Sequence, residues 1–162
     1  MKELIILRHA KSNREYAVDD IDRPLSVAGI ERIKKISQKK EDFFKNADII
    51  VSSPANRALH TAQLMMQELE FPYQKLIIDK KLYTFYVNDV IDYVHFLDNQ
   101  WTKVILVGHN PAFTELVNHF SEKKITHLRT AGLVKISFST NDWSTILQGD
   151  MELGQNPAKN YY

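Results

Sequence analysis

The chain has 162 residues, 44% of them hydrophobic and 25% charged, with a formal net charge of +1 and no cysteine. This length fits one domain over residues 1–162 that buries roughly 70% of its unfolded surface. The small net charge excludes nucleic-acid binding through bulk charge while leaving room for a local anion site. Without cysteine there are no disulfides, thiolate zinc sites or Cys nucleophiles. No apolar run approaches the ~20 residues of a membrane span, and no leader-like segment opens the chain, so the expectation is a cytoplasmic protein with no membrane partner.

Leu4–Leu7 is an unbroken apolar run that stops at Arg8-His9, the pattern of a strand buried on both faces. Lys11 to Pro24 is polar, with Asp19, Asp20 and Asp22 close together, and reads as a loop. Ser26 is placed to cap a helix running to about Lys40, with Ala28, Ile33 and Ile36 inward and Gly29 marking close packing. Asp48–Val51 is a second apolar strand ending at Ser52-Ser53-Pro54. A helix follows with Ala58, Ala62, Met65 and Leu69 on one face and Arg57 in its first turn. Leu76–Ile78 is a shorter strand, and Asn88 caps a helix carrying Ile91, Val94 and Leu97. Lys103–Val107 is the third buried-strand pattern, ending at Gly108-His109-Asn110-Pro111. Asn110 as cap and Pro111 as first helical residue start a helix in which Phe113, Leu116, Val117 and Phe120 repeat at helical spacing. Val134, Ile136 and Phe138 alternate with Lys135 and Ser137 as a half-buried strand that turns into Trp143–Leu147. From about residue 150 to 162 no periodicity is left, and a surface tail is expected.

Strand–helix alternation predicts an α/β fold with a mainly parallel central sheet and helices on both faces. Right-handed crossovers bring the carboxyl ends of the strands to one edge, where open sheets bind ligands. Three of these ends carry Arg8-His9, Ser52-Ser53-Pro54 with Arg57, and Gly108-His109. Two arginines offer rigid forks of donors to a phosphate. A neutral His9 can attack phosphorus in line, and a protonated His109 can donate to an equatorial oxygen. Taken singly, each residue has a plainer reading: a satisfied strand-end histidine, a solvated arginine, a well-capped turn. Their joint placement is what points to phosphoryl chemistry. His60 is one helical turn from Arg57 and reaches the rim at most; His95, His119 and His127 read as structural or surface groups. A metal hydrolase fits poorly, because neither His9 nor His109 neighbours a carboxylate ligand motif and Arg8 repels a divalent cation.

Arg8-His9-Ala10 resembles the Arg-His-Gly signature of the histidine phosphatase superfamily, with Ala in place of Gly. Ser52-Ser53-Pro54-Ala55-Asn56-Arg57-Ala58 with Thr61-Ala62 is similar to its second-arginine motif, and Val107–Pro111 to its second-histidine motif. Asp22–Ser26 with Gly29, and Thr130-Ala131-Gly132, resemble the short SixA-type phosphohistidine phosphatase branch. The resemblance implies a three-layer α/β/α sandwich, phosphoglycerate-mutase-like. It implies a phosphate pocket of Arg8, His9, Arg57 and His109, phosphorylation of His9 during turnover, and no metal or other cofactor. Ser12 and Thr130 are implied as hydroxyl donors beside the pocket. Mutase-like members carry a Glu after the second-arginine helix as general acid; the corresponding stretch here, Asp79–Tyr83, has none. Asp19, Asp22 and Asp79 remain candidate acids. A leaving group that needs little protonation is therefore expected: phosphohistidine on a protein, or another activated phosphate. The alternatives are a phosphatase of a small phosphorylated metabolite or nucleotide, and a non-catalytic phosphate-binding module.

Overall fold

The computed structural model describes residues 1–156. Strands β1 (Lys2–Arg8), β2 (Ile49–Ser52), β3 (Leu76–Ile78) and β4 (Lys103–Gly108) run parallel. Strand β5 (Leu133–Phe138) runs antiparallel to this block, and β6 (Asp150–Gln155) pairs antiparallel to β5. They form one sheet in the order β3-β2-β4-β1-β5-β6, so β1 and β4 lie at its centre.

Both faces of the sheet are covered, which is why the central strands are apolar throughout. Ile5 and Leu7 pack beneath α1 (Val27–Lys39), α2 (Glu41–Phe44) and α3 (Asn56–Glu68), against Ile33, Phe44, Ala62 and Met65. Leu4 and Ile6 point the other way, to α4 (Val87–His95) and α5 (Ala112–Phe120), against Val90, Val94, Phe113 and Leu116. All four residues of the Leu4–Leu7 run are fully buried, each contributing about 1.5–3 kcal/mol of apolar burial. Among the described residues no helix is long and apolar enough to cross a membrane.

The helix signals hold in chemistry and shift slightly in position. Ser26 Oγ accepts from Gly29 N at 3.0 Å and starts α1 as expected. Ala28 is exposed, however, and the inward face is built from Gly29, Ile33 and Ile36. Asn110 Oδ1 accepts from Thr114 N at 3.0 Å, so it caps α5, although the helix is regular only from Ala112. Asn88 caps nothing and lies within α4, which follows Tyr86.

Two expectations near the C-terminus are corrected. Trp143–Leu147 is not a strand: Trp143–Thr145 is a 3-10 turn, with Trp143 fully buried and its indole N–H donating to Trp101 O at 2.8 Å. The partner of β5 is β6, inside the segment expected to be a surface tail; residues 157–162 of that segment lie outside the described residues. As an edge strand, β6 gains its place from backbone pairing and a Lys135–Glu152 ion pair at 3.2 Å rather than from an apolar pattern. Trp143 closes the core under α4 and α5. Trp143→Ala is expected to cost about 3–5 kcal/mol of unfolding free energy. Urea titration checks this, and a loss below about 1 kcal/mol would show that the turn is dispensable.

Candidate active site

The parallel ladder continues past the strand ends. His9 N donates to Gly108 O at 3.1 Å, and Ser53 N to Val107 O at 3.0 Å. This sets Arg8-His9, Ser53 and His109 side by side at one sheet edge. Thr61 ties α3 to the same edge: its hydroxyl accepts from Ala10 N at 3.0 Å and donates to Arg57 O at 2.6 Å. Ala131, with φ 58°, turns the chain before β5 so that its N–H reaches His9 O at 3.0 Å and Thr130 faces the same space. The result is a cavity of about 620 Å³ lined by Arg8, His9, Arg57 and His109, with Ser12 and Thr130 also in its wall. All six sequence-predicted residues are thus brought together. Ser12 Oγ accepts from Arg23 Nε at 2.9 Å, leaving its hydroxyl proton to donate.

His9 is buried, and its Nδ1 lies 2.7 Å from Ala10 O. A carbonyl only accepts, so Nδ1 carries the hydrogen and Nε2 holds the lone pair. Burial, then His109 and the two arginines, push its pKa well below the ordinary histidine value, against the Ala10 carbonyl. The His109 ring centroid is 5.3 Å away. His109 Nε2 is 2.8 Å from Ser53 Oγ, and Tyr83 and Phe85 pack edge-on against the ring. Burial, followed by Arg57, holds its pKa at about 3, so its surroundings favour the neutral ring over the protonated one expected from sequence. A neutral imidazole still donates through one N–H.

Arg57 is 2% exposed, not the solvated charge its position in a first helical turn suggests. Its guanidinium donates to Asp20 O at 2.6 Å and Asp20 Oδ2 at 3.0 Å. Asp20 also receives Arg23 at 2.8 Å and the Tyr83 hydroxyl at 2.5 Å. Burial works to raise the Asp20 pKa, but the bonds from Tyr83 and Arg57 outweigh it and hold the carboxyl at about 2. Arg8 donates to Leu128 O at 3.0 Å; burial, then Arg129, Arg57 and Arg14, lower its pKa to about 10.

Four buried side-chain nitrogens or oxygens among the described residues have no protein partner. Three of them belong to this cavity: Arg8 Nε, Arg57 Nε and His109 Nδ1. Buried polar nitrogens without partners are costly, and their grouping around one cavity, together with the two guanidinium charges, suits an anion. Of the candidate acids, none of Asp19, Asp22 and Asp79 lines the cavity, and Asp79 instead accepts from Lys81 N. His60 does not reach it either. Asp20, Ser53 and Tyr83 belong to the site and were not singled out by sequence. The acidic cluster around Asp20 and the seryl pair at the strand end were visible, but which member points inward depends on the loop path.

A family model described as the histidine phosphatase superfamily (branch 1) matches residues 4–83. None of the curated proteins matches the chain. Solved structures share the fold. One designated a phosphohistidine phosphatase SixA from Nakamurella multipartitia is 20% identical, with TM-score 0.78 over 94% of this chain and 92% of that one. The protein histidine phosphatase SixA complexed with tungstate is 20% identical, with TM-score 0.76 over 93% of each. A mycobacterial glucosyl-3-phosphoglycerate phosphatase is 13% identical, with TM-score 0.71 over 94% of this chain and 98% of that one. The family match opens on the strand that carries Arg8 towards His9 and ends at Tyr83, whose ring packs edge-on against His109: residues 4–83 match the histidine phosphatase superfamily, and the chain shares the fold of the SixA structures.

Proposed function

We propose that the chain is a metal-independent phosphatase that works through a phosphohistidine on His9, and that phosphohistidine or a similarly activated phosphate is its substrate class. The observation that carries this reading is the His9 tautomer. The Nδ1–H bond to Ala10 O leaves Nε2 as the lone-pair nitrogen, and the depressed pKa keeps the ring neutral at physiological pH. Nε2 forms the bond to phosphorus as the bond to the leaving oxygen or nitrogen breaks. Water then attacks the phosphorus in line, the N–P bond breaks, and inorganic phosphate leaves. Arg8 and Arg57 neutralise the equatorial oxygens and His109 donates to one of them. Asp20 aims Arg57 rather than supplying a proton, because it stays ionised.

The substrate class follows from the missing acid. Two carboxylates line the cavity, Asp20 and the exposed Glu15, and the one that is fixed against the arginines is locked as an anion. An alkoxide leaves poorly without a proton, whereas an imidazole nitrogen or an aryl oxide leaves with little help. Aromatic side chains extend the floor on one side: Phe85 lines the cavity and also a groove of about 900 Å³ with Tyr86, Tyr93 and Phe96. This favours a substrate larger than a free sugar phosphate. Two cationic arginines beside the histidines also disfavour a divalent metal there, and the likeness to a tungstate-binding SixA fits an oxyanion site.

His9→Ala is expected to lower kcat/KM for an aryl phosphate by ~10³-fold or more. Vanadate is expected to inhibit and EDTA to have no effect; full turnover by the variant would overturn the mechanism. Asp20→Asn misaims Arg57 and should cost about 10²-fold, with Arg57→Ala at least as severe. Because His9 titrates well below its ordinary value, kcat/KM should show no enzyme histidine ionising near pH ~6.5. The acid limb should instead follow the second ionisation of the substrate phosphate. A limb that stays at the same pH across phosphates of different pKa would contradict this.

A further inference from the structure

Beside the catalytic cavity lies a second one of about 350 Å³, lined by Arg8, Lys11, Arg32, His127 and Arg129 with Ala28 and Thr130. Arg8, Lys11 and Thr130 line both cavities, so the two spaces share a wall. Four of the lining residues are permanent cations at neutral pH and none is a carboxylate, in a protein whose formal net charge is only +1. His127 Nε2 sits 3.4 Å from Arg8 Nη1, so this exposed ring, which the sequence marks as a structural or surface group, also lines the wall.

The backbone that carries the cluster is fixed by the fold, although its side chains are half-buried or exposed. Ser26 N and Oγ both donate to Lys11 O, at 2.9 and 3.1 Å. Gly29 lies so close to the Lys11 backbone that a Cβ there would stand 2.2 Å from Lys11 O. Together they press the start of α1 against the loop. Arg32 follows one turn after the short, exposed Ala28 on the same helix face. Arg129 is held from the opposite side: its N–H donates to Asn156 Oδ1 at 2.7 Å and its carbonyl accepts from Gly132 N at 2.8 Å. Cations gathered from a strand end, a loop, a helix and a turn raise the positive potential along this cavity.

We propose that this cavity is a second anion site, which holds a phosphate or carboxylate group that the substrate carries in addition to the phosphoryl group placed on His9. The inference rests on the phosphatase reading for the position of the first group, and narrows the substrate class to molecules or peptide segments with two anionic groups. Arg32 and Arg129 line the second cavity and not the catalytic one, so they select the substrate without touching the reacting phosphoryl group.

The test uses non-hydrolysable probes: alkane bisphosphonates of increasing tether length, the matching phosphono-carboxylates, and simple alkyl phosphonates. Calorimetry reads their binding to the full chain. The result therefore does not depend on turnover, and a failure of the phosphatase reading would show separately as no hydrolysis of an aryl phosphate. At one or more tether lengths a doubly anionic probe should bind at least about tenfold more tightly than the alkyl phosphonate. The combined Arg32→Gln and Arg129→Gln variant should lose that advantage while keeping its affinity for the alkyl phosphonate. Lys34→Gln with Lys123→Gln, an equal loss of charge elsewhere, should keep the advantage. Comparing the two probe series assigns the site to phosphate or to carboxylate. No advantage at any tether length, or an advantage that survives in the arginine variant or is lost equally in the lysine control, overturns the proposal.

Discussion

A guanidinium taken out of water is tolerated only when its donors are met, and the site depends on how that is done for Arg57. Asp20 meets two of them with its backbone and its carboxylate, and is itself gripped by Arg23 and the Tyr83 hydroxyl. Among the donors left over, Nε has no hydrogen-bond partner among the described residues, and the same is true of Arg8 Nε. The cavity therefore carries fixed, partly unanswered positive charge between two histidines that this charge and their burial keep neutral. Such a place suits an oxyanion and, under the proposed mechanism, holds a nucleophilic nitrogen ready from the same electrostatic arrangement.

Under the proposed mechanism the same arrangement lets one histidine attack and keeps the other from doing so. His9 loses one nitrogen to Ala10 O, which fixes the other as a lone pair. His109 is held by Ser53 and stacked edge-on by Tyr83 and Phe85, so its role is to orient and donate. An incoming dianion favours protons on both rings, which opposes the arginines; binding and proton uptake by His109 are therefore coupled.

The central layer and its ligand edge were legible in the sequence because buried parallel strands leave an unmistakable pattern: Leu4–Leu7 and Lys103–Val107 are apolar at every position or nearly so, and each ends on its functional residues. The helix start at Ser26 and the cap at Asn110 were legible because capping is local chemistry. The strand Asp150–Gln155 was not, since an edge strand with Asp150 and Glu152 is held by backbone pairing that composition does not reveal. Ala28 and Asn88 mark the limit of a helical periodicity over few residues. At the site, residues anchored on strand ends were found, while Asp20 was missed in favour of Asp19, Asp22 and Asp79. Which of several adjacent carboxylates turns inward is decided by a loop closed through contacts far apart in sequence, here with Arg57 and Tyr83.

The central claim is that phosphorus passes through His9. Brief reaction with a labelled aryl phosphate, rapid quenching in alkali and mapping of the labelled peptide tests it most directly. The account predicts an alkali-stable, acid-labile adduct on His9 that forms as fast as the leaving group is released and is absent from His9→Ala. A label on another residue, or turnover with no phospho-enzyme at any quench time, would contradict it.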